Sequence, residues 1–143
     1  MAAFSPIPTR GRITRKLDDG TVVFHPTGTK YELHLKTALP YDGPIDEPLE
    51  AVLRVSARKV YTVPSGGNFI SPIFGPPKII QGRVKYADES KAIVHAGATF
   101  IVDLPPADSA IDLANGRIAV GSMINVVALG GAAIELVNQP VIG

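Results

Sequence analysis

The 143-residue chain has no cysteine and no tryptophan. Without cysteine there can be no disulfide, no thiolate metal ligand and no cysteine nucleophile. The usual argument for an oxidising, secretory setting disappears with it, and the cytoplasm is the expected location. Aromatic residues are scarce at 6%, few for a protein whose purpose is to stack nucleobases. An excess of charge of one sign is lacking as well. Fourteen Lys and Arg face thirteen Asp and Glu, a net charge of +1, which supplies no strong field for nucleic acid or an anionic membrane. Residues 1–71 hold nine of the bases and seven of the acids, against five and six in the remainder. That asymmetry is too small to define a basic domain. Long apolar runs are missing too: residues 118–137 are interrupted by Gly121, Asn125, Gly130, Gly131 and Glu135, so no transmembrane helix and no membrane partner is expected. The opening "MAAFSPIPTRGR" has prolines where a signal peptide needs an apolar segment, and none is expected.

Glycine and proline, by contrast, are plentiful, at 14 and 13 residues spread along the chain. Set among 45% apolar residues, this punctuation favours many short strands joined by turns, an all-β globular protein.

The order of features then repeats. "GRITRKLDDGTVVFHPTG" begins at Gly11 and "GRVKYADESKAIVHAG" at Gly82. Each runs from Gly-Arg through a polar turn to a histidine that closes an apolar stretch, His25 and His95. Asp19-Gly20 is a hairpin-turn dipeptide, and "DESK" takes its place in the second copy. "PTGT" and "AGAT" follow, setting Thr29 opposite Thr99. Farther on, "VLRV-SARK-VYTV" (52–63) and "VVAL-GGAA-IELV" (126–137) both read as a strand, a turn and a strand. Between lie the loops 37–50 and 105–116, and "DSAIDLAN" in the second is predicted to form a helical turn.

Each copy therefore predicts five strands with a loop before the fourth, the plan of a small closed barrel. In outline it resembles the OB-fold and, less closely, an SH3-like barrel. No family motif accompanies that resemblance, so it transfers no functional residue. The expected organisation is two tandem barrels from an internal duplication, residues 1–70 and 71–143, packed as one compact body. Barrels of this size are marginal alone and gain by packing together. The joining segment "PSGGNFISPIFGPPKI" (64–79) is apolar, unlike a flexible linker.

No catalytic constellation emerges. His25 and His95 stand at equivalent positions and His34 on the next strand, without the spacing of a metal site. Asp42, Asp46, Glu47 and Glu50 share one loop, which reads as a charged surface. Arg12 and Arg83 open equivalent strands and, with Arg10, Arg15, Lys16 and Lys85, would line one surface for phosphate contacts. Asp18, Asp19, Asp88 and Glu89 lie close by and are expected to offset their field, so the basic residues read instead as exposed positions that keep the edges soluble. The segment around "SARKVYTV" offers charges and rings for single-stranded nucleic acid in Arg54, Arg58, Lys59, Tyr61 and Phe69. Its counterpart in the second copy is the neutral "GGAA", which weighs against that use. Phe69, Ile70, Ile73 and Phe74 crowd the connector and, with the C-terminal "NQPVIG" (138–143), suggest an interface. The reading that follows is a non-enzymatic β protein, without cofactor or metal, acting by surface recognition or homo-oligomeric assembly. Its rivals are an OB-like binder of single-stranded nucleic acid, and a hydrolase whose site forms between subunits from His25, His95 and the acidic loop.

Overall fold

The computed structural model of the chain describes residues 6–17, 19–38, 40–64, 66–88, 90–105, 111–112 and 118–137. Among the described residues every regular element is a strand, and pairing joins all of them into one sheet. In order they are β1 (Thr9–Lys16), β2 (Thr21–Pro26), β3 (Glu32–Lys36), β4 (Leu49–Thr62), β5 (Phe69–Ser71) and β6 (Phe74–Gly75). Then follow β7 (Ile79–Ala87), β8 (Lys91–His95), β9 (Thr99–Asp103), β10 (Ile111–Asp112), β11 (Met123–Ala128) and β12 (Ala133–Leu136). The all-β expectation holds, and no described helix is long and apolar enough to cross a membrane. The helical turn expected in "DSAIDLAN" gives way at Ile111–Asp112 to a short strand parallel to β4; the rest of that segment lies outside the described residues.

β4 organises the molecule. From Ala51 to Ala57 its residues alternate inward and outward, as a half-buried strand requires. At Arg58 the register against β11 slips by one residue, since Lys59 pairs with Val127 while Ala57 pairs with Ala128. Arg58 and Lys59 then both face solvent, and Val60 returns to the core. This bulge replaces the hairpin expected at residues 56–59. "SARK" contains no Gly, Asn or Asp to adopt the left-handed backbone of a tight turn, so the strand continues.

Its partner behaves likewise. β11 and β12 both run antiparallel to β4, one along its end and the other along its beginning. Residues 129–132 only bend the path between them, with Gly131 at φ 91°.

The pairings form two circuits. One passes β1–β2–β3–β12–β4 and returns to β1. The other passes β7–β8–β9–β4–β11 and returns to β7. In each, a single neighbouring pair is parallel, β3 with β12 and β9 with β4. β4 belongs to both, and strand pairing thus crosses residue 70 repeatedly.

Corresponding strands share register down to their irregularities. Arg12 pairs with His25 and Arg83 with His95. β1 slips between Ile13 and Arg15, and β7 slips at the equivalent place between Val84 and Tyr86. One sequence correspondence moves. Leu33 opposes Phe24 as Phe100 opposes Val94, so the counterpart of Thr99 is Glu32 and not Thr29. The first copy spends three more residues on its turn.

The core is one continuous cluster that includes Ile13, Phe24, Leu33, Leu53, Val55, Ile80, Phe100 and Ile124. The apolar residues Val52, Leu104, Val127 and Leu136 are only half-buried. Val52 and Val127 occupy the outward face of their strands. Val22, Val23 and Phe24 are all buried, as are Ala92, Ile93 and Val94, so the chain itself covers part of the outer face.

The β7–β8 turn is tied by Asp88. Its carboxylate accepts from the backbone N–H groups of Ser90 and Lys91 and from the Tyr86 hydroxyl. The backbone donor at Ser90 leads in holding its pKa down to about 2. A folded-state pKa below the unfolded value means that the carboxylate favours folding above the unfolded pKa of 3.8 and loses that effect as pH falls towards 2. The Asp88 carboxyl carbon should therefore titrate near 2 by NMR in the folded protein. A midpoint in the ordinary aspartate range would mean that the turn does not hold these bonds.

Candidate functional site

The residues singled out for nucleic acid are only partly brought together. Arg54 is engaged elsewhere: its guanidinium donates two 2.8 Å hydrogen bonds to the Asp103 carboxylate on neighbouring β9. Those bonds raise the arginine's pKa. With side chains 49% and 35% exposed, the pair contributes about 0.2–1 kcal/mol. Its charge is balanced, however, and unavailable to a phosphate.

Lys59 and Tyr61 do meet on the outer face of β4, the ammonium lying 5.9 Å from the ring centroid. Tyr61 pairs with Asn125, Asn125 with Gln81, and Gln81 with Phe69. The two rings thus share a face but stand three strands apart, about 14 Å. The ground between them is occupied. Asn125 donates to Gln81 Oε1 at 3.1 Å, and Gln81 Nε2 donates to the Gly67 carbonyl at 2.9 Å. A Cβ placed on Gly66 would lie 2.6 Å from that same Nε2, so residues 66–67 rest on the Gln81 amide.

The connector is a clasp between the two circuits. β5 pairs with β7 of the second, while β6 pairs in parallel with β3 of the first. The Tyr31 hydroxyl accepts from the Ile70 N–H at 3.1 Å, and Glu32 N–H donates to the Ile73 carbonyl at 2.8 Å. Ile70 is buried within the chain by this arrangement. Phe69, Ile73 and Phe74 remain outward, and the last two are 57% and 54% exposed. Phe74 sets its ring edge-on to His34, with centroids 4.9 Å apart. Ile73 walls a shallow hollow with Gly28, Thr29, Lys30 and Tyr31.

His25 and His95 have structural partners. His25 Nδ1 lies 2.9 Å from the Tyr31 carbonyl, which can only accept, so the imidazole donates. His95 Nδ1 lies 2.9 Å from the Thr99 hydroxyl. Thr99 is buried and beyond the reach of a substrate, and its N–H is bonded to the Thr9 hydroxyl. Asp42, Asp46 and Glu47 are exposed, and among the described residues no three His, Asp or Glu side chains gather as a metal ion would require.

A second hollow, of about 440 Å³, opens between β1 and the start of β4. Arg10, Arg12, Thr27, Pro48, Leu49 and Glu50 line it. Sequence reasoning placed Arg10 and Arg12 on a common surface but set it aside, and nothing in the spacing of residues 48–50 told that this segment would lie alongside.

No family model matches the chain, and no curated protein or solved structure matches it significantly.

Proposed function

We propose that the protein is a non-enzymatic recognition module built from two five-stranded, OB-like barrels, and that it assembles with copies of itself through the connector. The two closed pairing circuits are the barrels of this reading. Their shared register and matching bulges are what an internal duplication leaves behind. The units at residues 1–70 and 71–143 are then not independent, because each takes its last strand from the other. β12 completes the first barrel and the far end of β4 completes the second.

The observation that carries the assembly reading is the exposure of Ile73 and Phe74, on a segment whose backbone is already fastened to both circuits. Large apolar side chains held out on a fixed backbone lose little conformational freedom when a partner covers them. Burying what remains exposed of the two contributes about 1 kcal/mol or more each. Phe69 adds to the same ridge; Ile70 does not, being inside already. Residues 138–143, the other segment expected at the interface, lie outside the described residues.

Light scattering over a concentration series tests this. The protein should scatter as an oligomer at tens of micromolar. Phe74→Asp should give a smaller, folded species with an almost unchanged melting temperature, because the ring is already half in water. A wild-type chain that stays monomeric at high micromolar concentration would refute the assembly.

A further inference from the structure

The two halves of the chain serve as controls for each other. Register sets Arg10 in the place of Gln81, Arg12 in that of Arg83, Arg15 in that of Tyr86 and Glu50 in that of Asn125. In the second half these positions are occupied with structural work. Gln81 and Asn125 bond to each other, and residues 66–67 lie across the Gln81 amide. Arg83 donates to the Gly121 carbonyl at 2.9 Å, and the Tyr86 hydroxyl donates to Asp88. In the first half no described side chain bonds across the same ground. Arg10, Arg12 and Arg15 are exposed, and none forms an ion pair or a side-chain hydrogen bond among the described residues. Where the amide pair closes the second half, the first has the 440 Å³ hollow, with Pro48 and Leu49 as an apolar wall and the Glu50 carboxylate at its side.

Arg12 stands clear of the turn at Asp19, although the Asp46 N–H bonds the Ile13 carbonyl and brings that acidic residue alongside β1. Asp19, expected to offset Arg12, belongs to the turn at the far end of β1. Five residues of strand from Arg12 to Leu17 already span about 17 Å, beyond the Debye length of roughly 10 Å at 0.1 M salt. Asp19 itself accepts from the Thr21 N–H.

We propose that the hollow between β1 and residues 48–50 receives one base of a single-stranded nucleic acid, whose phosphates lie on Arg10, Arg12 and Arg15. The apolar wall takes a face of the base, and Glu50 accepts from its amino group, as a carboxylate does from cytosine. Arg10 and Arg12, two residues apart on a strand, stand about 6.8 Å apart along the backbone path. His25 is paired with Arg12, and the two planar side chains offer stacking surface to a neighbouring base. A single strand can splay its bases into such a site, whereas a duplex keeps them stacked. The proposal does not depend on self-association, and its residues are separate from the Ile73 and Phe74 ridge.

The probe is a short fluorescent oligodeoxycytidylate, titrated by anisotropy at several salt concentrations. Three phosphate contacts predict a log–log salt slope of about −2, so affinity should fall roughly twentyfold between 50 and 200 mM salt. Arg12→Gln with Arg15→Gln should reduce the slope to about −0.7, whereas Arg12→Lys should leave it unchanged. Glu50→Ala should weaken oligocytidylate binding at an unchanged slope. Arg83→Gln, the equivalent change in the second half, should have no effect. Thermal melts show that each variant remains folded. Absence of binding at 50 mM salt overturns the proposal. So does equal loss from Arg83→Gln, or equal affinity for duplex DNA or phosphatidylserine vesicles.

Discussion

Phe100→Ala should lower the stability of the whole protein by about 3–5 kcal/mol, and Phe24→Ala by a similar amount. Both rings are fully buried. They occupy complementary places: the first circuit sets Phe24 of β2 opposite Leu33 of β3, and the second sets Val94 of β8 opposite Phe100 of β9. Each circuit thus holds one phenyl ring among aliphatic neighbours, contributed by its second strand in one case and its third in the other. Removing either leaves a cavity in the core cluster that the surrounding paired strands cannot collapse to fill. The two losses should appear in one and the same transition. β4 places Ala51, Leu53, Val55, Ala57 and Val60 in the one core cluster that both circuits share, so neither circuit persists once the other opens. Denaturant unfolding followed by fluorescence and by circular dichroism should give coincident curves for the wild type and both variants. The midpoints should shift while the slope is unchanged. Separate transitions, with Phe24→Ala moving one and Phe100→Ala the other, would show the halves to be independent.

How far this design was legible in the sequence depended on the range of the interactions. Alternating apolar residues, Asp19-Gly20 and the repeated Gly-Arg are local signals, and they located β1, β2, β7 and β8 together with their equivalence. The exchange of last strands carries no local signal. "SARK" and "GGAA" align in sequence, and only the first lacks the residues of a tight turn. Long-range partners decide that "GGAA" does not fold back as a hairpin and that β12 reaches β3 of the other half. Val52 and Val127 show the same limit, since alternation identifies two faces without saying which one is covered. The connector was legible in part. Its apolar character marked a segment held in place, but the clasp through the Tyr31 hydroxyl and the Glu32 N–H joins residues about forty apart in sequence. For the candidate site, Arg10, Arg12 and Arg15 were visible as a pattern. Their significance rests on what opposes them: Asp103 takes Arg54 out of use, while Glu50, Pro48 and Leu49 frame Arg10. Those pairings lie 38–49 residues apart and follow from topology.

Gly82→Ala tests the close approach on which the two equivalent hairpins depend. A Cβ at Gly82 would lie 2.2 Å from the His95 carbonyl oxygen and 2.8 Å from the Ala96 Cβ. At Gly11 it would lie 2.5 Å from the His25 carbonyl oxygen and 2.5 Å from the Phe24 ring. In both cases the obstructing oxygen belongs to a backbone fixed in the sheet, and no rotamer change removes it. Relief requires the strands to separate, which disturbs Val84 with Val94 in one circuit and Ile13 with Phe24 in the other. Overpacking of this kind costs about 1–3 kcal/mol, and a contact against backbone belongs at the upper end or above. Gly130→Ala is the matched control, because a Cβ there meets nothing within 4 Å. It should be neutral or stabilising by a few tenths of a kcal/mol, through the unfolded chain. Thermal unfolding of the three variants should therefore order Gly130→Ala near the wild type, with Gly11→Ala and Gly82→Ala both well below it. Should Gly82→Ala melt with the control, the His95 carbonyl does not stand over residue 82, and the shared geometry of the two hairpins fails at its tightest point.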